Sequence, residues 1–146
     1  VYDPVRKELF RAEKGKGAFL NGHPVQVSQR SSMETSFIGC DTGYDAEEGR
    51  RMLEIIRALW SRMHGVRIMG SAALGLAYVA CGRLDLYLHP YLYPWDSVAS
   101  ILLTKEAGGE VSNWEGREVT IHSKQIIAAT PTVHSEFLKL VKALAY

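Results

Sequence analysis

The chain is 146 residues long, 47% hydrophobic and 23% charged, with 17 Lys plus Arg against 16 Asp plus Glu. That length suits one domain around one core, and a net charge of +1 speaks against a nucleic-acid partner, whose backbone calls for a concentrated basic face. No apolar run reaches the roughly 18–20 residues of a membrane span, no secretory leader stands out, and Cys40 and Cys81 lack disulfide-framework or zinc-site spacing, so the expectation is a reduced, cytoplasmic setting without membrane contact.

In chain order, VYDPVRKELF begins at Val1 instead of Met and reads as the middle of a sheet, which suggests a piece of a longer protein. Residues 1–28 alternate short apolar runs with the turns KGKG (14–17) and NG (21–22), the pattern of a β-meander continuing a sheet begun upstream. The Lys-Gly-Lys-Gly turn has neither P-loop spacing nor a following helix, so it reads as a hairpin turn and not as a phosphate cradle. SFIGC (36–40) reads as a strand, and the loop DTGYD (41–45) after it holds Asp41 and Asp45 in positions that suit Asx-turns.

Residues 46–65 put Met52, Leu53, Ile56, Leu59, Trp60 and Met63 on one helical face, with Glu47 and Glu48 near the start, Arg62 and His64 near the end, and Gly65 as the stop. VRIM (66–69) is a short strand candidate. Gly70-Ser71 then opens AALGLAYVACG (72–82), apolar on every side and therefore a buried helix, with Ser71 as N-cap and Gly82 beyond the C-cap. LDLYL (84–88) reads as a strand in which Asp85 is structural, and a helix runs from Asp96 to Glu106. GGEVSNWEGREV (108–119) suggests a hairpin around Glu115-Gly116, and QIIAAT (125–130) a buried strand. A last amphipathic helix starts at Thr130-Pro131 with Val133, Phe137, Leu140, Val141 and Leu144 on one face. The expectation is a single domain over 1–146 of the α/β class in a mixed α+β form, a meander followed by an α/β part over 36–146.

Two helix starts, at Ser71 and at Asp96, each follow a strand, where α/β proteins bind ligands and where unpaired N–H groups attract anions. Asp96 suits an N-cap accepting from the N–H of Val98 or Ala99, and a carboxylate has lone pairs to spare for a hard cation such as Mg²⁺. Of the five histidines none shows metal-ligand spacing; His122 and His134 read as surface residues, and His89, beside Pro90 and seven residues before Asp96, is the one nearest the candidate site. Ser71 lacks the Gly-x-Ser-x-Gly elbow of a serine hydrolase.

Three segments in this order, YDPVRKELFRAEKGKGAFLNGHPVQVS, HGVRIMGSAALGLAYVACGRLDLYL and PWDSVASILLTKEAGGEV, resemble the C-terminal half of the inositol monophosphatase family, the Mg²⁺-dependent, lithium-sensitive sugar-phosphate phosphatases. The resemblance implies the C-terminal part of a layered α-β-α-β-α fold, a metal ligand at Asp96, and a Gly70-Ser71-Ala72 turn that approaches the substrate. It also implies phosphate-monoester hydrolysis by metal-activated water, with more than one Mg²⁺ in the complete site. The family's remaining ligands, an earlier Glu and an Asp-Pro-x-Asp-Gly-Thr motif, do not occur in this chain, so no catalytic residue is assigned in it and the missing N-terminal half is an expected partner. The resemblance implies inositol phosphate or a related sugar or polyol phosphate as substrate; where inositol-specific members carry a Glu that binds ring hydroxyls, the register from Asp96 puts His89, which offers different hydrogen bonds and so points away from inositol 1-phosphate itself. A homodimer is the expected oligomer. The rival reading is a non-catalytic α/β module that binds a metabolite or a partner protein.

Overall fold

Short apolar runs broken by turns at the start of the chain form four strands, β1 (Tyr2–Asp3), β2 (Glu8–Ala12), β3 (Ala18–Leu20) and β4 (His23–Val25), in the computed structural model, which describes residues 1–143. They pair antiparallel in the order β1-β2-β3-β4, with Phe10 opposite Leu20 and Ala18 opposite Val25. Phe10 and Ala18 point inward at 1% and 2% exposure, as a half-buried meander demands.

A second sheet contains β5 (Phe37–Cys40), β6 (Gly65–Ile68), β7 (Leu86–His89), β8 (Glu110–Ser112) and β9 (Ile126–Ala129), in the order β6-β5-β7-β9-β8. β5 runs parallel to both β6 and β7, whereas β9 is antiparallel to β7 and β8. The helices are α1 (Ala46–Leu59), α2 (Ala72–Ala80), α3 (Pro94–Glu106) and α4 (Pro131–Ala143). The β5-to-β6 and β6-to-β7 crossovers run in opposite directions along the sheet, so right-handed connections put α1 and α2 on opposite faces.

The period-two alternation of β7 divides the core accordingly. Leu86 and Leu88 pack with Met52, Ile55 and Leu59 of α1 and Val133, Phe137 and Val141 of α4, while Tyr87 on the other face joins Leu76 and Val79 of α2 and Leu103 of α3. Helices α2 and α3 are in turn covered by the meander through Phe10, Ala18 and Val27. Four layers result, α1/α4, the five-stranded sheet, α2/α3 and the meander, consistent with the expected α/β class. No helix among the described residues is long and apolar enough to cross a membrane.

Several element boundaries differ from the sequence expectation. α1 ends at Leu59, a single 3-10 turn (Trp60–Arg62) follows, and Gly65 begins β6 instead of stopping a helix. Its buried stripe is Met52, Ile55 and Leu59, the i, i+3, i+7 set; Leu53 and Trp60, one residue and hence about 100° further round, are 54% and 66% exposed. The expected hairpin around Glu115-Gly116 is a turn whose flanks meet at one bridge, Ser112 to Glu118, because β8 pairs with β9 instead. His134, expected on the surface, is half-buried with Nε2 2.8 Å from the Ser112 hydroxyl. Leu144 lies outside the described residues.

Candidate functional site

Three parallel strands end at the same edge of the sheet, and each delivers part of a cleft. β5 ends at Cys40 and presents Asp41; β6 ends at Ile68 and leads into Gly70; β7 ends at His89. Ligands of open α/β sheets bind outside the carboxyl ends of strands, where successive crossovers diverge to opposite faces. An open cleft of about 1000 Å³ lies here, and Gly70, Ser71, Ala72, His89 and Asp96, the five residues singled out from sequence, all line it.

Gly70 has φ +69, a left-handed turn that glycine adopts without strain, and it brings the chain round into α2. Ser71 caps α2 as expected, its hydroxyl accepting from the Leu74 N–H at 3.4 Å, while the first-turn N–H groups of the helix lack intrahelical partners. Ala72 and Ala73 leave the helix start open to the cleft.

Asp96 is displaced from its expected role. α3 starts at Pro94, whose fixed φ suits the first helical position, so Tyr93 is the N-cap and Asp96 the third helical residue. Its Oδ2 reaches back to accept from the Tyr93 N–H at 3.0 Å, so the carboxylate caps from inside the helix and not through Val98 or Ala99. Oδ1 makes no hydrogen bond among the described residues.

His89 is 8% exposed, and its Nδ1 accepts from the Tyr91 N–H at 3.1 Å. Burial pushes its pKa below the ordinary histidine value, against the opposing pull of the Asp41 and Asp96 carboxylates, so the ring is neutral.

Asp41 is the site residue that sequence reasoning missed. It forms no Asx-turn: it is buried at 8% exposure, with Oδ1 accepting from the Gly70 N–H and Oδ2 from the Tyr87 hydroxyl, each at 2.6 Å. Asp45, in contrast, makes the expected Asx-turn, its Oδ1 accepting from the Glu47 N–H two residues on, and by accepting from Glu48 as well it is also the N-cap of α1. The Tyr87 ring fits a slot made by two glycines: a Cβ on Gly39 would lie 2.9 Å from the ring, and one on Gly75 would overlap it. Burial and the Asp41 carboxylate push the Tyr87 pKa up, so the hydroxyl stays protonated and donating. Asp85, in contrast, is structural as expected: at 0% exposure it accepts from the Ser28 hydroxyl, the Phe37 N–H and Arg30.

Among the described residues, four carboxylates, Asp41, Asp45, Glu48 and Asp96, line the cleft, and no Lys or Arg does. The walls repel a bare anion although the α2 start favours one, so an anionic ligand fits only together with a cation. The donor set for a metal is partial. Both oxygens of Asp41 accept from protein donors, Asp96 offers one uncommitted oxygen, and no group of three or more His, Cys, Asp or Glu with metal-binding geometry occurs among the described residues. Mg²⁺ takes one or two carboxylates plus water and substrate phosphate, so Asp96 fits as one ligand of a site completed by other groups.

A profile of the inositol monophosphatase family matches residues 1–145. "Inositol monophosphatase 1" of Solanum lycopersicum is 37% identical over 149 residues, covering 100% of this chain and 55% of the relative. A "fructose-1,6-bisphosphatase/inositol-1-monophosphatase" of Thermotoga maritima is 37% identical over 141 residues, covering 97% and 53%. The crystal structure of extragenic suppressor protein suhB from Bartonella henselae superposes with a TM-score of 0.90 at 36% identity, over 97% of this chain and 54% of that one. The chain thus spans about half the length of the relatives it matches. On the match of nearly every residue in sequence and in fold, this chain belongs to the inositol monophosphatase family.

Proposed function

We propose that the full-length protein is a metal-dependent phosphomonoesterase and that this chain supplies one face of its site. The observation that carries the reading is the uncommitted Oδ1 of Asp96 in a cleft whose lining, among the described residues, has four carboxylates, no Lys or Arg and a helix N-terminus. Such a cleft accepts a phosphate ester only with its charge neutralised by cations. Mg²⁺ suits the oxygen donor, and bound there it would supply an activated water and charge neutralisation at the phosphate.

The chain's own residues would act around that chemistry. Asp96 holds its carboxylate in place through the Tyr93 N–H, and the turn that follows Gly70 offers the Ser71 and Ala72 backbone N–H groups to the ester. Asp41 fixes that turn by accepting from Gly70. The remaining ligands come from the part of the protein outside this chain, so the 146-residue chain alone is inactive. Relatives named for inositol monophosphate and fructose 1,6-bisphosphate support a sugar or polyol phosphate as substrate.

The test is phosphate release by the full-length protein from inositol 1-phosphate and other sugar phosphates, with Mg²⁺ and with EDTA. Mg²⁺-dependent turnover supports the reading. A thermal shift with inositol phosphate but no hydrolysis would favour the non-catalytic binding module instead.

A further inference from the structure

The turn between β3 and β4 is the dipeptide Asn21-Gly22, with φ +50 and +82 at its two residues, the both-positive pattern of a type I′ hairpin. Asn21 also works across the meander. Its Oδ1 accepts from the Leu9 N–H at 2.8 Å, its Nδ2 donates to the Lys7 carbonyl at 3.1 Å, and its backbone N–H donates to the Leu9 carbonyl at 2.9 Å. The side chain thus clamps the β3–β4 turn to the start of β2, where Lys7 stands at φ +53. Both turn residues are exposed to water, and the Gly22 N–H makes no hydrogen bond among the described residues.

Asparagine is a labile side chain, and a following glycine leaves its peptide nitrogen unhindered by a Cβ. In the reaction this allows, the Gly22 nitrogen gives up its proton and bonds to Asn21 Cγ, the Cγ–Nδ2 bond breaks, and ammonia leaves. Water then opens the five-membered succinimide at either carbonyl, which yields aspartate or isoaspartate. Closing that ring requires the Asn21 side chain and the Gly22 peptide plane to rotate towards each other. The clamp restrains the first and the hairpin turn restrains the second. Asn113, the other asparagine of the chain, precedes the bulky Trp114 and has no such unhindered neighbour.

We propose that Asn21 is a spontaneous deamidation site that the folded meander protects, so that modification proceeds only from openings of the clamp and makes them permanent. Aspartate at this position would still accept from Leu9 but would set a carboxylate against the Lys7 carbonyl, acceptor against acceptor. Isoaspartate would lengthen the backbone of a two-residue turn whose register places the core residue Ala18 opposite Val25. Either product weakens the sheet that covers α3, the helix that carries Asp96.

The test uses the full-length protein in mildly alkaline buffer, native and in urea that unfolds it, with peptide mapping by mass spectrometry at Asn21 and Asn113. In urea Asn21 is expected to convert at least about 10-fold faster than Asn113. In the native state it is expected to convert at least about 10-fold more slowly than in urea, because two hydrogen bonds must open first. Phe10→Leu, which loosens the meander core, is expected to raise the native rate about 3-fold or more and to leave the rate in urea unchanged. Asn21→Asp is expected to melt below the wild type. Equal native and urea rates for the wild type would overturn the proposal, as would an Asn21 that stays intact in urea or an Asn21→Asp protein that melts with the wild type. The wild-type comparison decides the matter even if Phe10→Leu does not fold.

Discussion

The Tyr87 hydroxyl donates to the Asp41 carboxylate at 2.6 Å, tying the middle of β7 to the end of β5 directly beneath the Gly70 turn. Tyr87→Phe removes that donor and leaves a buried carboxylate one bond short. A loss of about 1–3 kcal/mol in denaturant unfolding is expected.

The same pair makes stability fall in alkali. The folded pKa of Tyr87 is raised, so its stabilising effect is complete below the unfolded tyrosine value near 10 and is lost as pH rises from there towards the folded value. Unfolding measured from pH 9 to 11 should show a steeper decline for the wild type than for Tyr87→Phe. Equal slopes would mean that Tyr87 is not held protonated by the fold.

Gly75 and Gly70 should fail in different ways. A methyl group on Gly75 overlaps the Tyr87 ring, and the slot has packed neighbours on every side, so Gly75→Ala is expected to cost about 1–3 kcal/mol or more. Gly70 has open space around its Cβ position but φ +69, so Gly70→Ala costs about 1–2 kcal/mol through the backbone alone. Gly70→Asn, which tolerates that conformation, should recover part of it. Thermal unfolding of the three variants distinguishes the two causes.

Acid should weaken the fold through two histidines. Burial lowers the folded pKa of both His89 and His134, so the unfolded chain takes up protons first. Their contribution is complete above the unfolded value near 6.5 and is lost as pH falls from there through the folded values. His89→Gln and His134→Gln should each flatten the stability profile between pH 7 and 5, and unchanged profiles would refute the neutral assignments.

Much of the framework was legible from hydrophobic period and turn chemistry. The all-apolar run 72–82 gave a buried α2, the run 126–129 a strand buried at every residue, and the Gly-punctuated start a meander. What local pattern did not reveal were contacts between residues distant in sequence. Asp41 reads as a turn former because its partners, Gly70 and Tyr87, are 29 and 46 residues away. The KGKG turn does hold an anion, but the anion is the Glu106 carboxylate at the end of α3, accepting from the N–H groups of Gly15 and Gly17 at 2.9 Å. Asp96 was legible as a cap, and it lines the cleft. Its shift from N-cap to the third helical position follows from Pro94, which can start a helix but cannot be preceded easily by helical backbone.

The central claim is that Asp96 contributes a metal ligand and not only a helix cap, and Asp96→Asn separates the two. An asparagine oxygen can still accept from the Tyr93 N–H, so the variant should remain folded with less than about 1 kcal/mol lost. The decisive measurement is Mg²⁺-dependent phosphate release from inositol 1-phosphate by the full-length Asp96→Asn protein, at matched thermal stability. A fall in kcat of about 100-fold or more, partly offset by raised Mg²⁺ concentration, is the predicted result. Wild-type turnover with an unchanged Mg²⁺ requirement would contradict it.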